Sequence, residues 1–306
     1  MKPGPSTLSI FIRYARPVML TAGVVFYFLG VGIAKYLGQP INWTRFWLGL
    51  ALVLLLQLMS YLLKAYYDLV DIDSPLRRMQ KDDIGDPLQV ERNLPRQHVL
   101  LLAASAMTAG AATMVLLFSI GATNAGVLIF IGISLLLSYF YAVPPLRLVY
   151  NGYGELTEAI LVTILFPGLA FLLQTGDLHR LLAMITFPLL LIFLAARMAL
   201  SLEKYPINLK YGQKTMMIVL GWQRGMRLHN WLVPGAYLMM ALAFGLGLPW
   251  SLTWPGLLPL PIGLFEIFQI NQISAGVKPR WRLLNFTAVA LLGLTVYFIT
   301  LALWTR

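Results

Sequence analysis

Long apolar runs alternate with short polar stretches along the whole chain. Nine runs stand out, near residues 17–36, 45–66, 98–118, 124–142, 155–174, 180–202, 228–247, 253–271 and 283–304. A helix rises 1.5 Å per residue, so about 20 apolar residues cross the hydrocarbon core of a bilayer. No run is amphipathic enough for a soluble bundle. The pattern predicts an all-α membrane protein, a nine-transmembrane-helix bundle, with residues 1–306 as a single integral membrane domain. Residues 1–16 are polar and carry Lys2, Arg13 and Arg16. No small-residue cleavage site follows a short apolar core there, so the first run is expected to stay as a span rather than serve as a cleaved signal.

The polar stretches carry the orientation. With the N-terminus on the cytoplasmic side, all of the 23 Lys and Arg except Lys35, Arg45, Arg180 and Arg306 fall on that side. Such a bias is what the positive-inside rule expects. A bacterial plasma membrane is the expected location. Two cytoplasmic loops are long, 67–97 and 203–227. The first holds seven acids and five bases, with Pro75, Pro87 and Pro95; the second holds Pro206, Gly212, Gly221 and Gly225. Each follows an even-numbered run and opens on a polar segment. The two segments are 140 residues apart, which fits an internal duplication or a coincidence of loop charge.

Composition agrees: 59% of residues are hydrophobic and 11% charged, where a soluble domain carries about 25% charged. There is no cysteine, so disulfides, thiolate nucleophiles and Cys-based metal sites are excluded; the three histidines, His98, His179 and His229, are too scattered to predict a metal cluster. The net charge of +11 is mostly topology. It also suits anionic lipid heads or a diphosphate. Nucleic acid is not an expected partner, because the basic residues are spread along membrane loops.

Charge at the mouth of membrane helices is expensive and marks candidate sites. The first segment, Lys64-Ala65-Tyr66-Tyr67-Asp68-Leu69-Val70-Asp71, puts Lys64, Asp68 and Asp71 on one helical face. The second, Lys204-Tyr205-Pro206-Ile207-Asn208 followed by Gly212-Gln213-Lys214-Thr215, pairs Lys204 with Asn208. Carboxylates on facing helices hold Mg²⁺, which takes oxygen ligands and bridges to substrate phosphate. The plainer alternative is a Lys64–Asp68 pair at a helix end, worth tenths of a kcal/mol if exposed.

These segments resemble the UbiA superfamily of intramembrane prenyltransferases. Tyr66-Tyr67-Asp68 is similar to the core of its first Asp motif, Asn-Asp-x-x-x-Asp-x-x-x-Asp, and Pro75-Leu76-Arg77-Arg78-Met79-Gln80-Lys81 to the basic segment after it. Tyr139-Phe140-Tyr141-Ala142-Val143-Pro144-Pro145-Leu146-Arg147-Leu148 resembles the Tyr-Ser-x-Pro-Pro signature. Asn151-Gly152-Tyr153-Gly154-Glu155-Leu156 and Gln174-Thr175-Gly176 resemble the branch that prenylates dihydroxynaphthoate in menaquinone synthesis. Gly212-Gln213-Lys214-Thr215 and Leu220-Gly221 are similar to the tail of the second Asp motif, Asp-x-x-x-Asp-x-x-x-Gly-Lys-x-Thr. The resemblance covers residues 15–305. It implies a nine-helix fold with a central lipid-open cavity, Mg²⁺ as cofactor, and transfer of a polyprenyl chain from its diphosphate to an aromatic quinone precursor. Candidate catalytic residues are Asp68, Asp71, Asp73 and Asn208. Candidate substrate contacts are Lys64, Arg77, Arg147, Glu155, Lys204 and Lys214, and candidate Mg²⁺ ligands are Asp68 and Asp71.

The departures matter as much. Aligned on Asp68, the leading Asn falls on Lys64, the adjacent Asp near Ala65 and the final Asp near Ile72. Aligned on Gly212, the two Asp of the second motif fall on Lys204 and Asn208. A lysine can neutralise a diphosphate or pair with a carboxylate, but it does not replace Mg²⁺ coordination. Two functions therefore stay open. One is a prenyltransferase. The other is a catalytically degenerate relative that binds an isoprenoid lipid, quinone or pigment, or serves as a structural subunit with protein partners in a membrane complex.

Other positions have plainer expectations. Glu266, inside the eighth run, is expected to be neutral or to face a polar cavity with Asn271. Glu155 and Glu158 suit the N-terminus of the fifth helix. Tyr139 and Tyr141 fit an interfacial belt or an aromatic cavity wall. His229 is expected to cap a helix or sit at the interface. Met198, Met216 and Met217 are expected to pack, and Gly110-Ala111-Ala112 to allow close helix contact.

Overall fold

The structure, a computed structural model, describes residues 15–72, 96–210 and 212–305, with residues 69–72 described by main chain alone. The candidates Asp73 and Arg77, and the side chain of Asp71, lie outside the described residues. The described residues are helical, with no strand among them. The long helices are α1 (Pro17–Tyr36), α2 (Trp43–Ile72), α3 (Arg96–Ser119), α4 (Ala125–Phe140), α5 (Gly154–Thr175), α6 (Arg180–Leu202), α7 (Trp222–Gly245), α8 (Trp250–Ser274) and α9 (Trp281–Trp304). Two short helices, Tyr205–Lys210 and Met216–Leu220, fold the second polar segment between α6 and α7.

Among the described residues, seven helices are long and apolar enough to cross a membrane: α1, α2, α3, α5, α6, α8 and α9. Helix α4 is apolar but only 16 residues long. Helix α7 starts six residues before its apolar run, on Trp222-Gln223-Arg224-Gly225-Met226-Arg227, which dilutes its apolarity. Helix α2 also outlasts its apolar run. Asp68, expected in the loop from residue 67, therefore sits in the same continuous helix as Lys64.

Helix α5 is the innermost. In its most apolar stretch 83% of residues are buried, against 28% for α3, whose Leu101, Val115 and Phe118 face outward. Outward leucines would be a liability in water but are the lipid-facing surface of a membrane bundle. Helix α5 packs on α1, α2, α4 and α6, and α9 closes the arrangement by packing on both α1 and α6. The close α1–α5 approach depends on Gly30: a Cβ there would overlap the Pro167 main chain. A single π turn, Leu161–Leu165, lies inside α5, and Gly176 ends the helix at φ 83°. Helix α2 pairs with α3, and α6 with α7, so the pairing recurs four helices on and the two polar segments occupy equivalent ends.

Alternation of the helices sends their termini to two ends. One end is fastened by Asn42 N donating to Gln174 Oε1 at 2.8 Å, by Asn124 Nδ2 donating to Gly176 O, and by Lys35 Nζ donating to Trp304 O at 2.6 Å. The other end gathers Arg16, Lys64, Arg96, Arg197, Lys204, Lys214 and Arg224, and the cavity described next.

Candidate active site

At this basic end the start of α1, the end of α2, the corner after α4, the start of α5, the end of α6 and the start of α9 surround a cavity of about 530 Å³. It brings the two polar segments together. Lys64 and Asp68 come from the first; Lys204, Asn208, Gln213, Lys214 and Thr215 from the second. Arg16, Tyr141, Tyr150, Glu155, Arg197, Ser201, Glu203 and Asn285 complete the polar wall.

Local folding explains how each group arrives. The continuation of α2 puts Lys64 and Asp68 one turn apart, and Lys64 Nζ lies 2.5 Å from Asp68 Oδ2. The corner after α4 runs through Pro144-Pro145, whose peptide bond is cis, to a short 3₁₀ turn, Leu148–Asn151, that Gly152 ends at φ 85°. This turn carries Tyr150, whose hydroxyl donates to Asp68 Oδ1 at 2.7 Å. Arg147 lies 4.5 Å over the Tyr150 ring and 5.5 Å over that of Tyr67. It backs the cavity wall through Tyr150 and does not line it.

In the second segment Asn208 N donates to Lys204 O at 2.8 Å, and Gln213 N to Asn208 O at 2.8 Å, folding the stretch into a compact hook. Thr215 Oγ1 accepts from Ile218 N, and Glu155 Oε2 accepts from Met216 N at 3.2 Å, which ties the hook to the start of α5. Glu203 Oε2 accepts from Asn285 Nδ2 at 2.7 Å.

Behind the wall stands a buried carboxylate that neither polar segment contains. Glu158 lies 2.7 Å from Arg197 Nη2 and 3.6 Å from Arg16 Nη1, and accepts from the Tyr141 hydroxyl at 2.7 Å. One carboxylate thus orients two guanidiniums, and Arg16 also lies 5.5 Å over the Tyr61 ring. Of the sequence candidates, Asp68, Asn208, Lys64, Glu155, Lys204 and Lys214 meet at the cavity. Arg16, Tyr150, Glu158, Arg197 and Asn285 were not among them. The available signal was charge inside apolar runs: Glu158 and Arg197 each interrupt one.

A second polar cluster lies between α7 and α8. His229 Nε2 is 3.1 Å from Glu266 Oε1, both fully buried, and Asn230 Nδ2 donates to Asn271 Oδ1 at 2.7 Å. His229 is therefore neither a cap nor an interfacial group, because a carboxylate one helix away draws it inward.

The family model described as the UbiA prenyltransferase family matches residues 23–289. The chain belongs to the UbiA family. Its similarity to the 1,4-dihydroxy-2-naphthoate octaprenyltransferase of Bacillus subtilis (strain 168) is 24% identity over 267 residues, 86% of this chain and 83% of that one. Among solved structures, a UbiA homolog from Archaeoglobus fulgidus bound to GPP and Mg²⁺ superposes with TM-score 0.67 at 16% identity, covering 97% of this chain and 100% of that chain. A digeranylgeranylglyceryl phosphate synthase gives TM-score 0.63 at 12% identity, covering 98% and 99%. These likenesses show the UbiA fold.

The described donor set of this UbiA-family chain does not fit the Mg²⁺ that the family resemblance implies. Mg²⁺ needs near-octahedral oxygen donors. Asp68 has one oxygen on Lys64 and the other on Tyr150, Glu203 is held by Asn285, and the ammonium of Lys204 lines the same cavity. Among the described residues no group of three His, Asp or Glu could hold a metal ion.

Proposed function

We propose that the protein transfers a polyprenyl chain from its diphosphate to an aromatic acceptor such as a quinone precursor, within a bacterial plasma membrane and with the N-terminus on the cytoplasmic side. One observation carries this reading: a single cavity joins both polar segments at the end of an apolar helical bundle. Membership of the UbiA family and the naphthoate octaprenyltransferase relative support it. The chemistry matches the two-faced surroundings, with charge at the mouth for a diphosphate and lipid-facing helices for the chain.

In the proposed reaction the bond between the prenyl C1 and the diphosphate oxygen breaks, and the electron pair leaves with the diphosphate. The allylic cation is attacked by an aromatic ring carbon, a carbon–carbon bond forms, and the ring loses its proton. Arg16, Arg197, Lys64, Lys204 and Lys214 stabilise the departing anion. Asp68 holds Lys64, Glu158 holds Arg16 and Arg197, and the Asn208 main chain folds the second segment. Asp71, Asp73 and Arg77 remain candidates for the same headgroup.

The closed state of Asp68, with both oxygens engaged, favours a second reading: a UbiA-fold protein that binds an isoprenoid lipid, quinone or pigment, or joins a membrane complex, without turnover. Purified protein given geranylgeranyl diphosphate and dihydroxynaphthoate, with Mg²⁺ and then with EDTA, decides between them. Prenylated naphthoate in either buffer supports the transferase. Folded protein that retains lipid and makes no product, across a panel of chain lengths and acceptors, supports the second reading.

A further inference from the structure

We propose that this cavity seats the diphosphate group on its own lysines and arginines, without a divalent metal. The inference rests on the prenyl-diphosphate reading above and concerns how the headgroup is held.

Among the described residues, every acid at the cavity already has a partner within the protein. Asp68 is shared by Lys64 and Tyr150, Glu155 accepts from the Met216 main chain, and Glu203 accepts from Asn285. Glu158, behind the wall, is held by Arg197, Arg16 and Tyr141. An entering Mg²⁺ would have to strip these contacts and would meet the cavity's cations at close range. The cations are in the opposite position. Arg16, Lys64, Arg197, Lys204 and Lys214 line the same space as three acids, leaving it net positive. Lys204 and Lys214 are exposed and make no ion pair with another described residue. They stand in the hook of the second polar segment, where the family resemblance places Lys204 on an acidic position.

A diphosphate is the complement of this wall. Guanidiniums offer paired donors to phosphate oxygens and ammoniums act as mobile point charges. Glu158 fixes the two arginines beforehand, so less ordering remains when the anion arrives. Lys64, 2.5 Å from Asp68, can turn its remaining donors to the ligand while keeping that contact.

The test uses full-length protein in phosphatidylcholine nanodiscs, with geranylgeranyl S-thiolodiphosphate as the probe and calorimetry as the readout, in EDTA and in Mg²⁺. Inorganic pyrophosphate is the competitor. The expected result is affinity in EDTA within about threefold of that in Mg²⁺, displacement by pyrophosphate, and a loss of about fivefold for each of Lys204→Gln and Lys214→Gln. Arg224→Gln, at the same end but outside the cavity, should bind as the parent does. Thermal melting of each variant establishes that it is folded. Binding that tightens about tenfold or more on adding Mg²⁺ overturns the inference and leaves the transferase reading standing. So do lysine variants that bind as the parent does, or a probe that pyrophosphate fails to displace. A folded protein that binds geranylgeraniol but not the thiolodiphosphate in either buffer overturns both.

Discussion

Glu266 faces His229 across α8 and α7, Oε1 to Nε2 3.1 Å, and neither side chain reaches the surface. Removing one member of such a pair strands the other in a low-dielectric interior, at a cost of about 3–5 kcal/mol, while removing both is far milder. His229→Leu should lower the melting temperature more than the double variant His229→Leu/Glu266→Leu. Melting of the three purified proteins in one detergent checks the order.

Glu158 holds Arg197 and Arg16 together, so its loss should act at a distance. Glu158→Leu leaves two guanidiniums facing each other and should reduce folded yield, by about 3 kcal/mol of stability. Glu158→Gln keeps an acceptor and should cost less. Fluorescence-detected size exclusion after a heating series ranks the two.

Tyr150 works through both its hydroxyl and its ring. Tyr150→Phe deletes the bond to Asp68 and keeps the ring under Arg147; about 1.5–3 kcal/mol is the range for hydrogen bonds to charged groups, lowered here by partial exposure. Tyr150→Ala also removes the ring and should cost more in both stability and thiolodiphosphate affinity. Parallel melting and binding titrations separate the two contributions.

At Gly30 the expectation is steric. Gly30→Val would force α1 away from the Pro167 main chain, and overpacking of a fitted interface costs about 1–3 kcal/mol or more. Gly38, with open space around it, should tolerate alanine better on packing grounds and lose only from its positive φ. Expression and melting of Gly30→Val and Gly38→Ala give the comparison.

How far the sequence reached follows from these residues. The apolar runs placed the long helices because a bilayer demands about 20 apolar residues of any span. Lys64, Asp68, Lys204 and Asn208 were legible as a site because charge at a membrane helix end calls for a reason. That they share one cavity was expected only through the family resemblance, since nothing local to residues 64–68 points to 204–215. The pairings of Glu158 with Arg197 and of His229 with Glu266 were hidden for the same reason. Each joins two helices, and the spacing along the chain, 39 and 37 residues, carries no periodic signal. The start of α7 was missed because Arg224 and Arg227 interrupt apolarity without interrupting helix.

Helix α9 packs against both α1 and α6, and its Asn285 lines the cavity and grips Glu203. As the chain leaves the ribosome, α9 is made after the other described helices, so the chamber has an unfinished wall until then. A nascent protein halted before residue 281 would carry both polar segments yet lack Asn285 and the helix that closes this side of the bundle. Assembly order thus withholds the finished cavity until α9 has docked on α1 and α6.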